Sequence, residues 1–258
     1  MRTISGIVVF IVAGTAGAAV QTKEIDYDHN GTKLKGFLAY DDSATGKRPG
    51  VLVVHEWWGL DDYARKRAKM LAELGYIAFC PDMYGEGKVV DHPKEAGKMA
   101  QTVRMNVQNW RARAQAGLKV LQSQANVDAD KLAAIGYCFG GSTALQLAYS
   151  GAPLKAVATF HAALPAPTPE EAKNIKARIL VCHGNDDPFI QQKDIEAFKA
   201  ALDTAGGKYQ FEAYTGAVHS FTVPDADKRG LKGMGYNEAA DKKSWEQMQA
   251  LFKETLGK

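Results

Sequence analysis

Polar and apolar residues alternate over residues 23–40 and are interrupted at Asn30-Gly31, a pair suited to a tight turn because both central residues take positive φ. The pattern predicts an opening antiparallel hairpin. After the polar stretch Asp41 to Arg48 comes Val51-Leu52-Val53-Val54, a run without alternation that predicts a strand buried on both faces. Over residues 61–74, Ala64, Arg67, Ala68, Leu71 and Leu74 recur at helical spacing, and Gly75 follows where a helix would end. The unit then repeats. Strands are expected over 76–79, 132–135, 156–160, 178–182 and 210–214, and helices over 93–124, 141–149, 191–205 and 239–256. Short apolar strands alternating with amphipathic helices predict an α/β fold, a mostly parallel central sheet of about eight strands with helices on both faces. Pro165-Ala166-Pro167-Thr168-Pro169 is too short to divide domains, so a single domain is expected over residues 20–258.

The first 19 residues follow a different pattern. Met1-Arg2 precedes an apolar run from Ile4 to Gly14 and then Thr15-Ala16-Gly17-Ala18-Ala19, the order of a secretory signal peptide with an Ala16-x-Ala18 cleavage site. The run is short for a bilayer span. A signal peptide over residues 1–19, no stable membrane anchor after its cleavage, and a periplasmic or secreted location are therefore expected.

Composition narrows the function classes. Of 258 residues, 32 are Lys or Arg and 29 are Asp or Glu, for a formal charge of +3, without the basic excess of a nucleic-acid-binding protein. The three cysteines, Cys80, Cys138 and Cys182, are odd in number and too few to staple a domain of this size, so at least one thiol is free or pairs outside the chain.

In open α/β sheets ligands bind at the carboxyl ends of the strands, which directs attention to the polar residues after each apolar run. Gly136-Tyr137-Cys138-Phe139-Gly140-Gly141 lies between a predicted strand and a predicted helix. It has the form of a G-x-S-x-G nucleophile elbow with cysteine in the serine position. A helix N-terminus favours thiolate, and the Phe139 N–H after it can donate into an oxyanion hole. A cysteine nucleophile needs a base and a carboxylate, and this fold supplies them in the order nucleophile, acid, histidine. His183-Gly184-Asn185-Asp186-Asp187 offers two acids, and His219 follows the last predicted strand; His183 and His161 are rival bases. Val54-His55-Glu56-Trp57-Trp58-Gly59 follows the first parallel strand, where the second oxyanion donor is expected, here the Trp57 N–H. Gly59 stands where a zinc H-E-x-x-H motif needs its second histidine, so neither metal nor cofactor is expected.

Taken in order, Glu56, the Gly136 to Gly141 elbow, Gly184-x-x-Asp187 and His219-Ser220-Phe221 resemble the dienelactone hydrolases, an α/β-hydrolase family with a Cys-His-Asp triad. The resemblance covers nearly all of residues 20–258. It implies Cys138, Asp187 and His219 as the triad, and Glu56 as a carboxylate that contacts the resting thiol and helps activate it. It also implies hydrolysis of a small-molecule carboxylic ester or lactone through a thioester. The family's carboxylate-binding arginines would fall within Asp82 to Gly87 and just after His219, and neither stretch contains one. A neutral or aromatic guest is therefore expected, in a pocket of Trp58, Tyr84, Glu86, His161, Phe189 and Phe221. The chain is expected to act as a monomer or small homo-oligomer. The competing readings are a non-catalytic ligand-binding protein of the same fold and a thiol redox protein.

Overall fold

The computed structural model describes residues 20–257, so the signal peptide expected over 1–19 lies outside the described residues. Eight strands form one sheet: β1 (Val20–His29), β2 (Thr32–Asp41), β3 (Arg48–Val54), β4 (Ile77–Cys80), β5 (Val127–Tyr137), β6 (Ala156–Phe160), β7 (Arg178–Gly184) and β8 (Tyr209–Tyr214). Their order is β1-β2-β4-β3-β5-β6-β7-β8. The β1–β2 hairpin turns at Asn30 and Gly31, with φ of 51° and 75°, and β2 joins β4 antiparallel. The other pairings are parallel. Among the described residues seven α-helices connect or flank the strands: α1 (Asp62–Glu73), α2 (Pro93–Arg104), α3 (Val107–Gln122), α4 (Phe139–Tyr149), α5 (Pro169–Asn174), α6 (Gln192–Thr204) and α7 (Glu238–Leu256). This is the α/β-hydrolase architecture.

The unbroken apolar run in β3 serves two cores, because successive side chains of a strand point to opposite faces. Leu52 and Val54 pack with Leu118 and Leu121 of α3 and Leu145 of α4, while Val51 and Val53 pack with Ala64 and Leu71 of α1 and Phe252 of α7. Each such aliphatic side chain taken from water stabilises the fold by roughly 1.5–3 kcal/mol. Among the described residues no helix is long and apolar enough to cross a membrane.

Two local features depart from the sequence pattern. The helix expected over 93–124 is two helices, because the Asn106 side chain accepts the Asn109 N–H at 2.9 Å and starts α3 anew. That break puts Arg104 at the end of α2. The proline-rich stretch begins the unexpected α5, where Thr168 and Glu171 form a capping box and Pro169 takes the first helical position. Replacing Asn106 by Ala should lower stability by about 1 kcal/mol in urea denaturation, and Asn106→Asp should cost much less.

Candidate active site

The carboxyl end of β5 runs directly into α4 at Cys138, whose φ of 52° and ψ of −115° are a conformation that side-chain-bearing residues seldom adopt. Glycine on either side makes the turn possible by close approach. A Cβ on Gly136 would stand 2.1 Å from the Gly140 carbonyl oxygen, and one on Gly140 would stand 2.2 Å from that of Val54. The strained turn lifts the half-buried Cys138 into a cavity of about 430 Å³. Phe139 is the first residue of α4, so its N–H has no partner inside the helix, and the positive end of the helix dipole lies beside the thiol.

His219 enters the same cavity from the loop after β8. Its backbone is clamped by the 233–235 segment, donating to Gly233 O at 3.1 Å and accepting from Gly235 N–H at 3.0 Å. The ring donates Nδ1–H to Asp187 Oδ2 at 2.7 Å, which leaves Nε2 for Cys138. Asp187 is itself held, its other oxygen accepting the Phe189 N–H at 2.9 Å. Of the two candidate acids, Asp187 carries this bond, while Asp186 is exposed. Burial alone would lower the pKa of His219, but the charge of Cys138 and the hydrogen bonds with Asp187 and Cys138 outweigh it and raise it to about 10. The proton is therefore stabilised on the imidazole when a thiolate stands beside it. Cys80 and Cys182 lie buried in strands, and burial pushes both thiols up, which suits them to packing rather than to nucleophilic or redox chemistry.

The loop after β3 forms the other wall. His55 accepts the Met83 N–H on Nε2 at 3.2 Å, so its Nδ1–H donates to the Glu56 carbonyl at 2.5 Å. The Tyr84 hydroxyl donates to the Trp57 carbonyl at 2.8 Å. Asp82, fully buried, accepts backbone N–H groups from Lys35, Tyr84, Gly85 and Gly87 and thereby fixes the supporting loop. Trp57 is thus braced from behind while its ring faces the cavity. The Glu56 carboxyl is buried and accepts the Ser220 Oγ–H at 3.1 Å. Its pKa is raised to about 7, by burial first and then by the charge of Asp61, against the lowering effects of His219, Ser220 and Arg229.

Several residues expected in the pocket stand elsewhere. Phe189 lines it and meets the His219 ring edge-on at 5.3 Å. Trp58 is 2% exposed beneath the Arg229 guanidinium, and Phe221 is fully buried against His161. Tyr84 braces Trp57, as above, rather than lining the cavity. Glu86 sits on an exposed turn beside Lys88 and the β1–β2 hairpin, because the loop after β4 folds back onto that hairpin. His161 is buried behind His219, and His183 packs on Phe211. The stretches 82–87 and 219–223 hold no arginine, but the cavity has cations from elsewhere. Arg104 and Lys232 line it, together with Ile190, Leu231 and Met234, and neither cation has an acidic partner among the described residues. Arg104 comes from the end of α2 and Lys232 from the segment just before Gly233. Among the described residues no group of three or more His, Cys, Asp or Glu side chains gathers as a metal site.

The raised pKa of Glu56 has a measurable cost. Its folded value of about 7 exceeds the reference of 4.5, so the native state holds more protons in between and stability falls as pH rises through that window. Glu56→Gln should match the wild type near pH 4 and exceed it by up to about 3 kcal/mol at pH 8 in denaturant unfolding. A gap that does not widen with pH would contradict this assignment.

The model of the dienelactone hydrolase family matches residues 34–256. The chain is 43% identical to the solved structure m3DLH, covering 92% of this chain and 99% of that one at a TM-score of 0.90. It is 40% identical to a dienelactone hydrolase-like promiscuous phosphotriesterase from metagenomic libraries, covering 93% and 99% at a TM-score of 0.90. Protein usf of Aquifex pyrophilus is 27% identical over 236 residues, 90% of this chain and 98% of that protein. With its fold, its elbow and these matches, the chain belongs to the dienelactone hydrolase family of the α/β-hydrolase superfamily.

Proposed function

We propose that this protein hydrolyses a carboxylic ester or lactone with Cys138 as nucleophile. The observation that carries the reading is the chain Asp187–His219–Cys138, with its 2.7 Å first bond, placed at the strained turn where α4 begins. His219 takes the thiol proton, and the thiolate attacks the substrate carbonyl carbon. The carbonyl oxygen becomes an oxyanion that accepts the N–H groups of Phe139 and Trp57. As the tetrahedral species collapses, the C–O bond breaks and His219 returns its proton to the leaving alkoxide, leaving an acyl thioester on Cys138. Water, deprotonated by His219, attacks the thioester carbonyl carbon; the C–S bond then breaks, the acid is released, and His219 returns its proton to the Cys138 thiolate. Asp187 holds the imidazole in the Nδ1–H tautomer throughout. Glu56 is a second carboxyl near His219 whose ionisation near neutrality would tune the thiol's proton.

The cavity supports a substrate class as well. Apolar walls from Trp57, Phe189, Ile190, Leu231 and Met234 suit a hydrophobic acyl or aryl part, while Arg104 and Lys232 suit a negative group on it. The phosphotriesterase named among the similar structures adds phosphotriesters to the candidate substrates.

With short aryl esters and small lactones, Cys138→Ala should lose on the order of a thousandfold or more in kcat/KM. Activity that survives this substitution would exclude the cysteine mechanism. Arg104→Ala should raise KM for a carboxylate-bearing ester about tenfold more than for a neutral ester of equal size. Equal effects on the two esters would remove the anionic preference.

A further inference from the structure

His161 is fully buried at the end of β6, at a φ of 41°, and lies outside the Asp187–His219–Cys138 chain. Its Nε2 is 2.8 Å from Thr222 Oγ1. Its Nδ1 has no hydrogen-bond partner and faces Glu56 Oε1 at 3.8 Å, longer than a hydrogen bond. The polarity of the network leading to it is set at its far end. Arg67 is only a donor, and its Nε–H reaches the Tyr63 hydroxyl at 3.1 Å. The Tyr63 hydrogen then has one described acceptor, Thr222 Oγ1 at 2.6 Å. Thr222, accepting there, gives its own hydrogen to His161 Nε2. Every hydrogen in the chain is satisfied in this direction, whereas the reverse leaves the Tyr63 hydrogen without an acceptor among the described residues. Nε2 is therefore the unprotonated nitrogen, and the proton of neutral His161 sits on Nδ1, pointing at Glu56.

We propose that the Arg67–Tyr63–Thr222 chain fixes His161 in the Nδ1–H tautomer, and that this N–H is the donor onto which the Glu56 carboxylate closes when it ionises. His161 is then a positioning residue for Glu56, acting beside the Ser220 hydroxyl. Its neutral state agrees with its surroundings, since burial first, then His219 and Arg67, push its pKa well below the ordinary value. The groups facing this pair come from every packed element: Glu56 from the loop after β3, His219 from the loop after β8, Tyr137 from β5, Tyr63 and Arg67 from α1, and Asp241 of α7 through its ion pair with Arg67. Asp61 and Arg229 add their charges at Glu56. The catalytic meaning of the pair rests on the ester-hydrolase reading, but its tautomer and its titration do not.

The test therefore uses the full chain without turnover. Side-chain ¹⁵N NMR of histidine-labelled protein at pH 8, with His161 identified by its loss in His161→Asn, should show Nδ1 protonated and Nε2 bare. An Nε2–H signal in the wild type would overturn the proposal. Carboxyl ¹³C titration should place Glu56 near neutrality and move it upward by about half a unit to one unit in Thr222→Val, because an ionised carboxylate that loses a donor holds its proton more tightly. Tyr63→Phe, which keeps the packing, should move it the same way. His161→Asn, whose amide can stand in for Nδ1–H and tolerates positive φ, should move it less than His161→Ala does. A Glu56 midpoint that is the same in all four variants would refute the positioning role. If these shifts occur while esters are not cleaved, the ester reading fails and the positioning stands.

Discussion

Much of this molecule depends on how closely the backbone of α4 approaches β3. Only hydrogen fits at the α-carbon of Gly140, against the carbonyl oxygens of Val54 and His55, and the same holds at Gly136 against Gly140 itself. This contact forces Cys138 into its positive-φ conformation and joins two parts of the site that are distant in sequence. It sets the first N–H of α4 beside the loop that carries Glu56 and Trp57. The sheet order explains why β3 is available for it, since β3 lies between β4 and β5 near the centre of the sheet. The two cores on either side stabilise the strained turn, as a strained residue persists only when its surroundings over-determine it.

Around that turn the buried charges are arranged in two layers. Nearest the cavity, Asp187 and Cys138 both favour the protonated form of His219. Behind it, Glu56, His161, Thr222, Tyr63 and Arg67 form a polar chain through the interior to the ion pair with Asp241 on α7. A buried carboxyl that titrates near neutrality is destabilising once ionised, and such a group is best understood as serving chemistry rather than stability. Two ionisable groups that share one low-dielectric region but have opposite environments are a common basis for dividing acid and base roles.

The fold was largely legible in the sequence because its signals are local: a two-residue turn at Asn30-Gly31, apolar runs of strand length and helical spacing. The elements that meet at the cavity were legible for the same reason, since the elbow and the Gly184-x-x-Asp187 loop join a strand end and His219 lies on the loop after β8. The pocket was less so. Trp58 adjoins the cavity-lining Trp57 and Phe221 lies two residues from His219, yet both side chains are buried in the core, and Tyr84 is buried behind Trp57. Arg104 and Lys232 belong to no strand end. Their position follows from the Asn106 cap and from the 233–235 segment clamping His219, which are tertiary facts. The capping signals at Asn106 and Thr168 were present in the sequence, and weighing them would have divided the long helix and found α5.

The proposed mechanism requires Cys138 to become acylated. Mass spectrometry of protein quenched with acid during turnover of an aryl ester tests this most directly, because a thioester adds the mass of the acyl group to one peptide. The predicted result is that mass on the peptide containing Cys138, increasing when water attack is slowed by Asp187→Asn or by low temperature. An acyl group found on another residue, or hydrolysis that proceeds with no adduct while Cys138→Ala remains active, would contradict it.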